Sequence, residues 1–268
     1  MFKSILMIIL IITVSNSKNK DIYIKSHKQG NKIIAYVHNN SLHHITIKYD
    51  ANIKNLISLC PLPTIKSFKP KSKSKICEFI ISKNKFSYNS NYKWVLGTKN
   101  AVHDDNYLYR LPYELNTKQR VSQGFDGYFT HKNNSLYAID FDMKEGVKVF
   151  ASREGLVVNT KSDSKEGGND KKFLGKANKI IIKHPDNTYA VYNHLKYNSL
   201  YVKVGDYVKR GDLLAKSGST GYNNGAHLHF IVYKTINHES RESIPIKFKT
   251  KKGILINPIE GNSYTSIK

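Results

Sequence analysis

The chain has 268 residues, enough for one large domain or two small ones. Its formal net charge of +23 favours anionic partners, for example cell-wall polymers or lipid headgroups, although a lysine-rich composition explains the charge equally well. Only five of the 43 basic residues are arginine, on which specific base readout depends most, and we find no nucleic-acid motif, so the sequence argues against a nucleic-acid partner.

The first seventeen residues (1–17) have the composition of a secretory signal peptide. Lys3 gives a short basic start, an apolar run extends from Ile5 to Val14, and small residues lead to a cleavage site after Ser17. An uncleaved anchor is the alternative, but the apolar run is short for a bilayer. No other segment approaches the length of a membrane span. We therefore expect an exported protein, periplasmic, extracellular or in the cell wall, without a stable span after cleavage.

Residues 18–104 predict a small N-terminal β-sandwich-like domain, because short alternating strands are separated by turn residues. The lysine run 66–75 predicts a solvated loop. His43 and His44 are adjacent, so on a strand they would face opposite ways, and we interpret them as surface histidines. Cys60 and Cys77 cannot build a cysteine-based zinc site, and export favours a disulfide between them.

A polar, proline-containing stretch at 105–124 predicts an ordered connector into a second domain at 125–240, followed by a C-terminal extension at 241–268. Alternating segments, glycine at most reversals and no helical periodicity predict an all-β fold with an antiparallel sheet for the second domain. The long polar loop 160–178 is typical of segments that border a binding groove.

The segment Gly225-Ala-His-Leu-His-Phe-Ile-Val predicts a strand on which His227 and His229 share one face. Alone, such a pair is more often two half-exposed histidines than a site. Asp140 is an acid among strand formers, where burial requires a partner or a metal. Two further imidazoles could join these residues: His131 lies in a turn-rich loop, and His194 lies at the end of a predicted strand. Catalytic zinc takes three protein ligands from His and carboxylate and leaves one position for water.

Between Leu111 and Tyr233 the chain contains, in order, the blocks Ser-Gln-Gly-Phe, Tyr-Ala-Ile-Asp-Phe, Tyr-Asn-His-Leu, Val-Gly-Asp-Tyr-Val, Ser-Gly-Ser-Thr-Gly-Tyr and Gly-Ala-His-Leu-His-Phe. In these blocks it resembles the lysostaphin-type, LytM-like zinc metallopeptidases, which cut peptide cross-bridges of peptidoglycan. In many members the first histidine lies four residues before the aspartate, a position that is Leu136 in this chain. Many members also have proline directly before the second histidine pair, where this chain has Ala226. This chain is similar to the branch in which that histidine lies further upstream, in a Thr-His step.

The resemblance implies one Zn²⁺ per chain, held in an open groove, and a secreted zinc metalloendopeptidase that hydrolyses peptidoglycan cross-links by attack of zinc-bound water assisted by two histidines. The bond could be a D-Ala–diaminopimelate link or a glycine bridge, and the sequence leaves open which histidine is the base. The residues that match the family's functional positions are, as zinc ligands, His131, Asp140 and His229, and, as catalytic histidines, His194 and His227.

Two other functions compete with this hypothesis. The first is a catalytically inactive LytM-like protein that binds the wall or activates another hydrolase, although all five site positions are filled here. The second is a lipoyl or biotin carrier, suggested by the Gly-Asp turns at 205–206 and 211–212, but Lys216 does not lie at a hairpin tip. We interpret Asp142 as a solvated or outer carboxylate. The other histidines are expected to be structural or surface residues: His27, His38, His103, His184 and His238. The oligomeric state stays open.

Overall fold

The computed structural model describes residues 21–268, so the segment assigned to a signal peptide lies outside the described residues. The chain forms two compact units: the first runs to Lys99 and includes Asn237–Glu239, and the second comprises Asn100–Ile236 and Ser240–Lys268. Within the described residues there is no α-helix, only two short 3₁₀ turns at Asn133–Ser135 and Lys171–Phe173. In that same part of the chain, no helix has the length and apolar character needed to cross a membrane. The predicted all-β class is confirmed.

The first unit is built from two antiparallel sheets, with strand orders β1-β2-β6-β4 and β5-β3-β7. Fully buried Ile22, Val37 and Phe79 of one sheet pack in the same core as Ile45 and Tyr49 of the other, which is a sandwich arrangement. Its strands are β1 (Ile22–Gln29), β2 (Lys32–Asn39), β3 (Ile45–Lys54), β4 (Leu56–Ser58), β5 (Thr64–Phe68), β6 (Ser72–Ile81) and β7 (Ser87–Leu96).

Two expectations about the first unit were wrong. The lysine run 66–75 is no loop, because β5 ends at Phe68, β6 begins at Ser72, and only the turn between them is irregular. Its lysine side chains do face solvent, since alternate residues of a strand point outward. His43 is buried, with 9 % of its surface exposed, and does not lie on the surface. The turn before β3 folds inward there, and the backbone carbonyl of His43 accepts a hydrogen bond from Asn39 Nδ2 at 2.9 Å.

The expected disulfide is present between Cys60, which follows β4, and Cys77 in β6. Both cysteines pack against the core of the sandwich. The bridge ties the β4–β5 connection to the neighbouring strand, so we interpret it as structural.

The second unit is dominated by a nine-stranded sheet of order β16-β12-β14-β15-β19-β10-β9-β23, with β20 paired to β19. Its strands are β8 (Leu108–Arg110), β9 (Lys118–Gln123), β10 (Ile139–Asp142), β11 (Lys148–Phe150), β12 (Gly155–Lys161), β13 (Gly167–Gly168), β14 (Asn178–Lys183), β15 (Tyr189–Leu195), β16 (Tyr207–Val208), β17 (Leu213–Lys216), β18 (Gly221–Tyr222), β19 (His227–Thr235), β20 (Arg241–Ser243), β21 (Lys247–Thr250), β22 (Gly253–Leu255) and β23 (Ser263–Thr265).

All pairs of the main sheet are antiparallel, as expected, but two short pairs elsewhere are parallel: β13 with β18, and β21 with β8. The segment 105–124 contributes β8 and β9, and the segment 241–268 contributes β20 to β23. Both segments therefore complete sheets of the second unit, with Tyr109, Tyr113 and Phe248 fully buried in its core.

The central strand β19 alternates as the sequence predicts. Leu228 and Phe230 are fully buried, while His227 and His229 face the opposite side and stay partly accessible. One face of the sheet thus supplies the core, and the other is free to carry polar side chains.

Candidate active site

Strand register places the site residues side by side on the accessible face. Asp140 of β10 lies directly opposite His229 of β19 on one side and Gln123 of β9 on the other, and Asp142 lies opposite His227. Side chains directly opposite each other in neighbouring strands lie close together. Antiparallel pairing alone therefore brings residues 89 positions apart into contact.

His131 reaches the same place from the loop between β9 and β10. Its Nε2 lies 3.2 Å from Asp140 Oδ1, and the same carboxylate oxygen lies 2.8 Å from His229 Nδ1. One ligand atom from each of the three residues lies within 4.8 Å of the other two. Atoms bound to one tetrahedral zinc at about 2.0–2.1 Å would be roughly 3.3 Å apart, so the spacing fits one ion.

The hydrogen bonding of His131 supports the same interpretation. Its Nδ1 lies 2.8 Å from the carbonyl oxygen of Gly124 and must donate to it, so Nε2 carries the lone pair. That Nε2 is fully buried and has no hydrogen-bond partner. A buried acceptor facing a carboxylate oxygen is unfavourable unless a cation lies between them. The three side chains therefore fit a divalent metal ion.

Asp140 is ionised in this setting. Burial opposes its ionisation, but where the nitrogens of His131 and His229 that face it carry protons, their hydrogen bonds outweigh that effect and hold the pKa of the carboxyl well below its usual range. An anionic oxygen with two nitrogen donors is a ligand set that zinc prefers.

His194 and His227 lie beside this group, with their ring centroids 4.6 Å apart. His194 Nδ1 lies 2.7 Å from the Thr220 carbonyl oxygen, and His227 Nδ1 lies 2.8 Å from that of Gly225. Each Nδ1 must donate, because a carbonyl only accepts, so each Nε2 is left as an acceptor. Burial, followed by the neighbouring His227 and His229, lowers the pKa of His194 to about 3, and its imidazole is neutral at physiological pH.

Gln123 holds the other side of the group. Its amide nitrogen donates to Asp140 Oδ2 at 2.9 Å and to Thr130 Oγ1 at 2.8 Å, and its amide oxygen accepts from the backbone nitrogens of Phe129 and Thr130. The buried amide therefore orients the carboxylate and fixes the loop that carries His131. The sequence does not mark Gln123 as a site residue, although its Ser-Gln-Gly-Phe block carries part of the resemblance.

A groove of about 520 Å³ runs over these side chains. Its walls include Phe129 and Tyr222, whose rings stack at 6.2 Å, and the almost fully exposed Tyr128. None of its lining residues, all of which belong to the described part of the chain, is Lys or Arg. An open, polar groove of this size suits an extended peptide.

The remaining candidates lie away from the metal ligands. Asp142 lines the groove but pairs with Arg120 at 2.8 Å, which fits an outer carboxylate. His184 is buried and its Nδ1 donates to the Glu154 carbonyl oxygen at 2.7 Å, so it is structural. Lys216 ends strand β17, paired with β11, and is no hairpin tip of the kind a carrier domain needs.

The fold and the site define a class: an antiparallel β domain with a His/Asp/His group able to hold a metal ion, open to a groove. Residues 134–242 match the model of peptidase family M23. His131 lies three residues before the matched range.

Three relatives illustrate the similarity. An uncharacterized metalloprotease of Buchnera aphidicola is 30% identical over 210 residues, which is 77% of this chain and 46% of the relative. The peptidoglycan DD-endopeptidase ShyA of Vibrio cholerae is 32% identical over 122 residues, or 44% and 26%. Lysostaphin of Staphylococcus simulans is 41% identical over 95 residues, or 35% and 17%.

The chain thus spans about half or less of the length of these curated relatives. The solved catalytic domain of lysostaphin is 27% identical and matches with a TM-score of 0.34, covering 47% of this chain and 87% of that domain. The similarity to this family therefore rests on sequence and not on this superposition.

Proposed function

We propose that this protein is an exported, zinc-dependent endopeptidase that hydrolyses peptide cross-links of peptidoglycan. The observation that carries the proposal is that the group of His131, Asp140 and His229 meets two further histidines at one groove, which Asp140, His194, His227 and His229 line. The M23 domain and its peptidoglycan-cleaving relatives support the substrate class.

The three ligands would hold one zinc ion, which supplies Lewis acidity and a lowered pKa for water when bound. The chain's own groups do the rest. A free Nε2 on His194 or His227 accepts the proton of the attacking water, and the same group returns it to the leaving amine. Their Nδ1 hydrogen bonds to backbone carbonyls keep both rings in the required orientation.

Digestion of purified sacculi tests this function. Protein loaded with Zn²⁺ should lower the fraction of cross-linked muropeptides that a muramidase then releases from the sacculi, and the Asp140→Asn variant should leave that fraction unchanged. If the loaded protein binds zinc and sacculi but leaves the fraction unchanged, the inactive wall-binding alternative is correct.

The bond that is cut is a separate question. ShyA is a DD-endopeptidase by name, which favours a link between two stem peptides, while the resemblance to lysostaphin-type enzymes also admits a glycine bridge. Mass spectrometry of fragments from walls with direct cross-links and from walls with glycine bridges would identify the new termini.

The charge of +23 supports a further part of the proposal, binding to anionic polymers of the envelope. Binding of this kind weakens with salt. Retention on an anionic polymer that falls steeply between low and physiological salt would support it, and retention independent of salt would contradict it.

A further inference from the structure

A buried hydrogen-bond network lies behind His194, on the side away from the groove. The backbone of His194 has φ of +60°, in the left-handed region that non-glycine residues rarely adopt, so the surrounding structure must hold it there. Its imidazole Nδ1 is held by the Thr220 carbonyl oxygen alone. The position of that one carbonyl therefore decides where the ring points.

Thr220 is fixed from two directions. Its hydroxyl donates to the carbonyl oxygen of Leu195, the residue after His194, at 2.8 Å, and accepts from the backbone nitrogen of Asn178 at 2.9 Å. One side chain thus connects the backbone beside His194 to the turn that provides the acceptor for its ring. The hydroxyl is fully used, as donor and as acceptor.

Asn178 extends the network into the long loop 160–178. Its side-chain nitrogen donates to the carbonyls of Ser164 and Leu195, and its side-chain oxygen accepts from the backbone nitrogen of Ser164. Asn178 is fully buried, and Thr220 is 6 % exposed. The loop 160–178 therefore holds the turn that contains Thr220.

Close backbone contact between β13 and β18 also holds the turn of Thr220 in place. β13 pairs with β18, so that Gly167 lies beside Gly221, and the backbone nitrogen of Gly221 donates to the Glu166 carbonyl at 2.8 Å. A Cβ at Gly167 would lie 1.8 Å from the Ser219 carbonyl oxygen. Only glycine permits this approach, next to Thr220 itself.

We propose that Thr220 and Asn178 are positioning residues for His194: through the Thr220 carbonyl they fix its Nδ1–H tautomer and aim its Nε2 into the groove. The expected fall in kcat rests on the proposed peptidase function, whereas the expected tautomer of His194 does not. Neither residue touches the metal ligands' atoms in the groove, so their loss should spare zinc binding.

The test compares Thr220→Val, which keeps the shape but removes the hydroxyl, with Thr220→Ser, which restores it. In Thr220→Val, kcat on a defined cross-linked peptide should fall about 10- to 100-fold, as for other residues that orient an active group through a second contact. KM and zinc content should stay unchanged, and Thr220→Ser should recover most of kcat. Asn178→Ala should lower kcat as Thr220→Val does, again with KM and zinc content unchanged.

Thr188→Val is the matched control. Thr188 is also fully buried, and its hydroxyl donates to Asp186 Oδ1 at 2.6 Å at the other end of β15. This variant should lower the unfolding midpoint as much as Thr220→Val does and leave kcat at the wild-type value. An equal fall in kcat in both variants would show a merely structural role and overturn the inference.

A second readout is independent of peptidase activity. Long-range ¹H–¹⁵N spectra of histidine-labelled, Zn²⁺-loaded protein should show His194 protonated at Nδ1 in the wild type and Thr220→Ser, and a mixture of tautomers in Thr220→Val. An unchanged tautomer in Thr220→Val overturns the inference. A wild type that shows the tautomer but cleaves no peptide would instead contradict the proposed function.

Discussion

Two buried clusters of histidine and aspartate lie near opposite ends of β15, and only one of them fits a metal ion. We call them the metal cluster (His131, Asp140 and His229) and the arginine cluster (Arg153, His184 and Asp186). In the arginine cluster a guanidinium nitrogen of Arg153 lies 2.6 Å from Asp186 Oδ2. In the metal cluster, the basic side chains of the described residues that lie within 4 Å of the Asp140 carboxylate are all imidazoles.

The difference lies in what neutralises the buried charge. Arg153 packs against aromatic rings, and its guanidinium carbon lies 4.2 Å from the Tyr107 ring centroid. The arginine cluster therefore contains its own buried cation. Both clusters contain a buried imidazole nitrogen without a hydrogen-bond partner, but in the metal cluster this nitrogen lies 3.2 Å from a carboxylate oxygen and the cluster opens to the groove. Neighbouring histidine and aspartate therefore indicate a metal site only where the protein supplies no cation itself.

The largest effect is expected for Asp140→Asn. The carboxylate is the only anionic ligand of the metal cluster, so its loss should abolish both zinc retention and hydrolysis. Zinc content after dialysis and the fraction of cross-linked muropeptides left after muramidase digestion measure the two effects. Asp142→Asn, two residues along the same strand, is the control and should retain zinc. A variant at position 140 that kept a full equivalent of zinc would show that the ion binds elsewhere.

The next largest effect separates two histidines near the two ends of β15. His194→Ala should lower kcat by about 10²–10⁴-fold, the usual contribution of a general acid or base, and leave zinc content unchanged. His184→Ala should lower stability but leave kcat as in the wild type, since it lies in the arginine cluster. Normal cleavage by His194→Ala would show that His194 has no part in proton transfer.

Much of this arrangement could be predicted from the sequence, but only where the signal is local. Alternation along β19 places His227 and His229 on one face, and an acid among strand formers marks Asp140. The roles of Gln123 and Thr220 could not be predicted, because they depend on strand register and on a turn 26 residues from His194 in the chain. His43 was misassigned for the same reason, since its burial depends on how a turn folds.

The arginine cluster should contribute to stability alone. Arg153→Met leaves Asp186 buried without a cation, and we expect a loss of about 3–5 kcal/mol in the free energy of unfolding, with zinc content and kcat unchanged. Asp186→Asn in the same chain should recover part of that loss, because the uncompensated charge is removed. Chemical denaturation of the single and double variants gives the coupling energy. Loss of zinc in Arg153→Met would mean that the two clusters are not independent.

The smallest effect is a pH dependence that comes from the arginine cluster. Burial, followed by the charge of Arg153, lowers the pKa of His184 from about 6.5 to about 4. The unfolded chain therefore binds more protons between these values, so the stabilisation is complete above pH 6.5 and is lost as the pH falls towards 4. We expect His184→Gln to reduce the loss between pH 7 and pH 5 by on the order of 1–2 kcal/mol. Denaturation at both pH values measures this difference, and equal losses in the two proteins would assign the acid sensitivity to other groups.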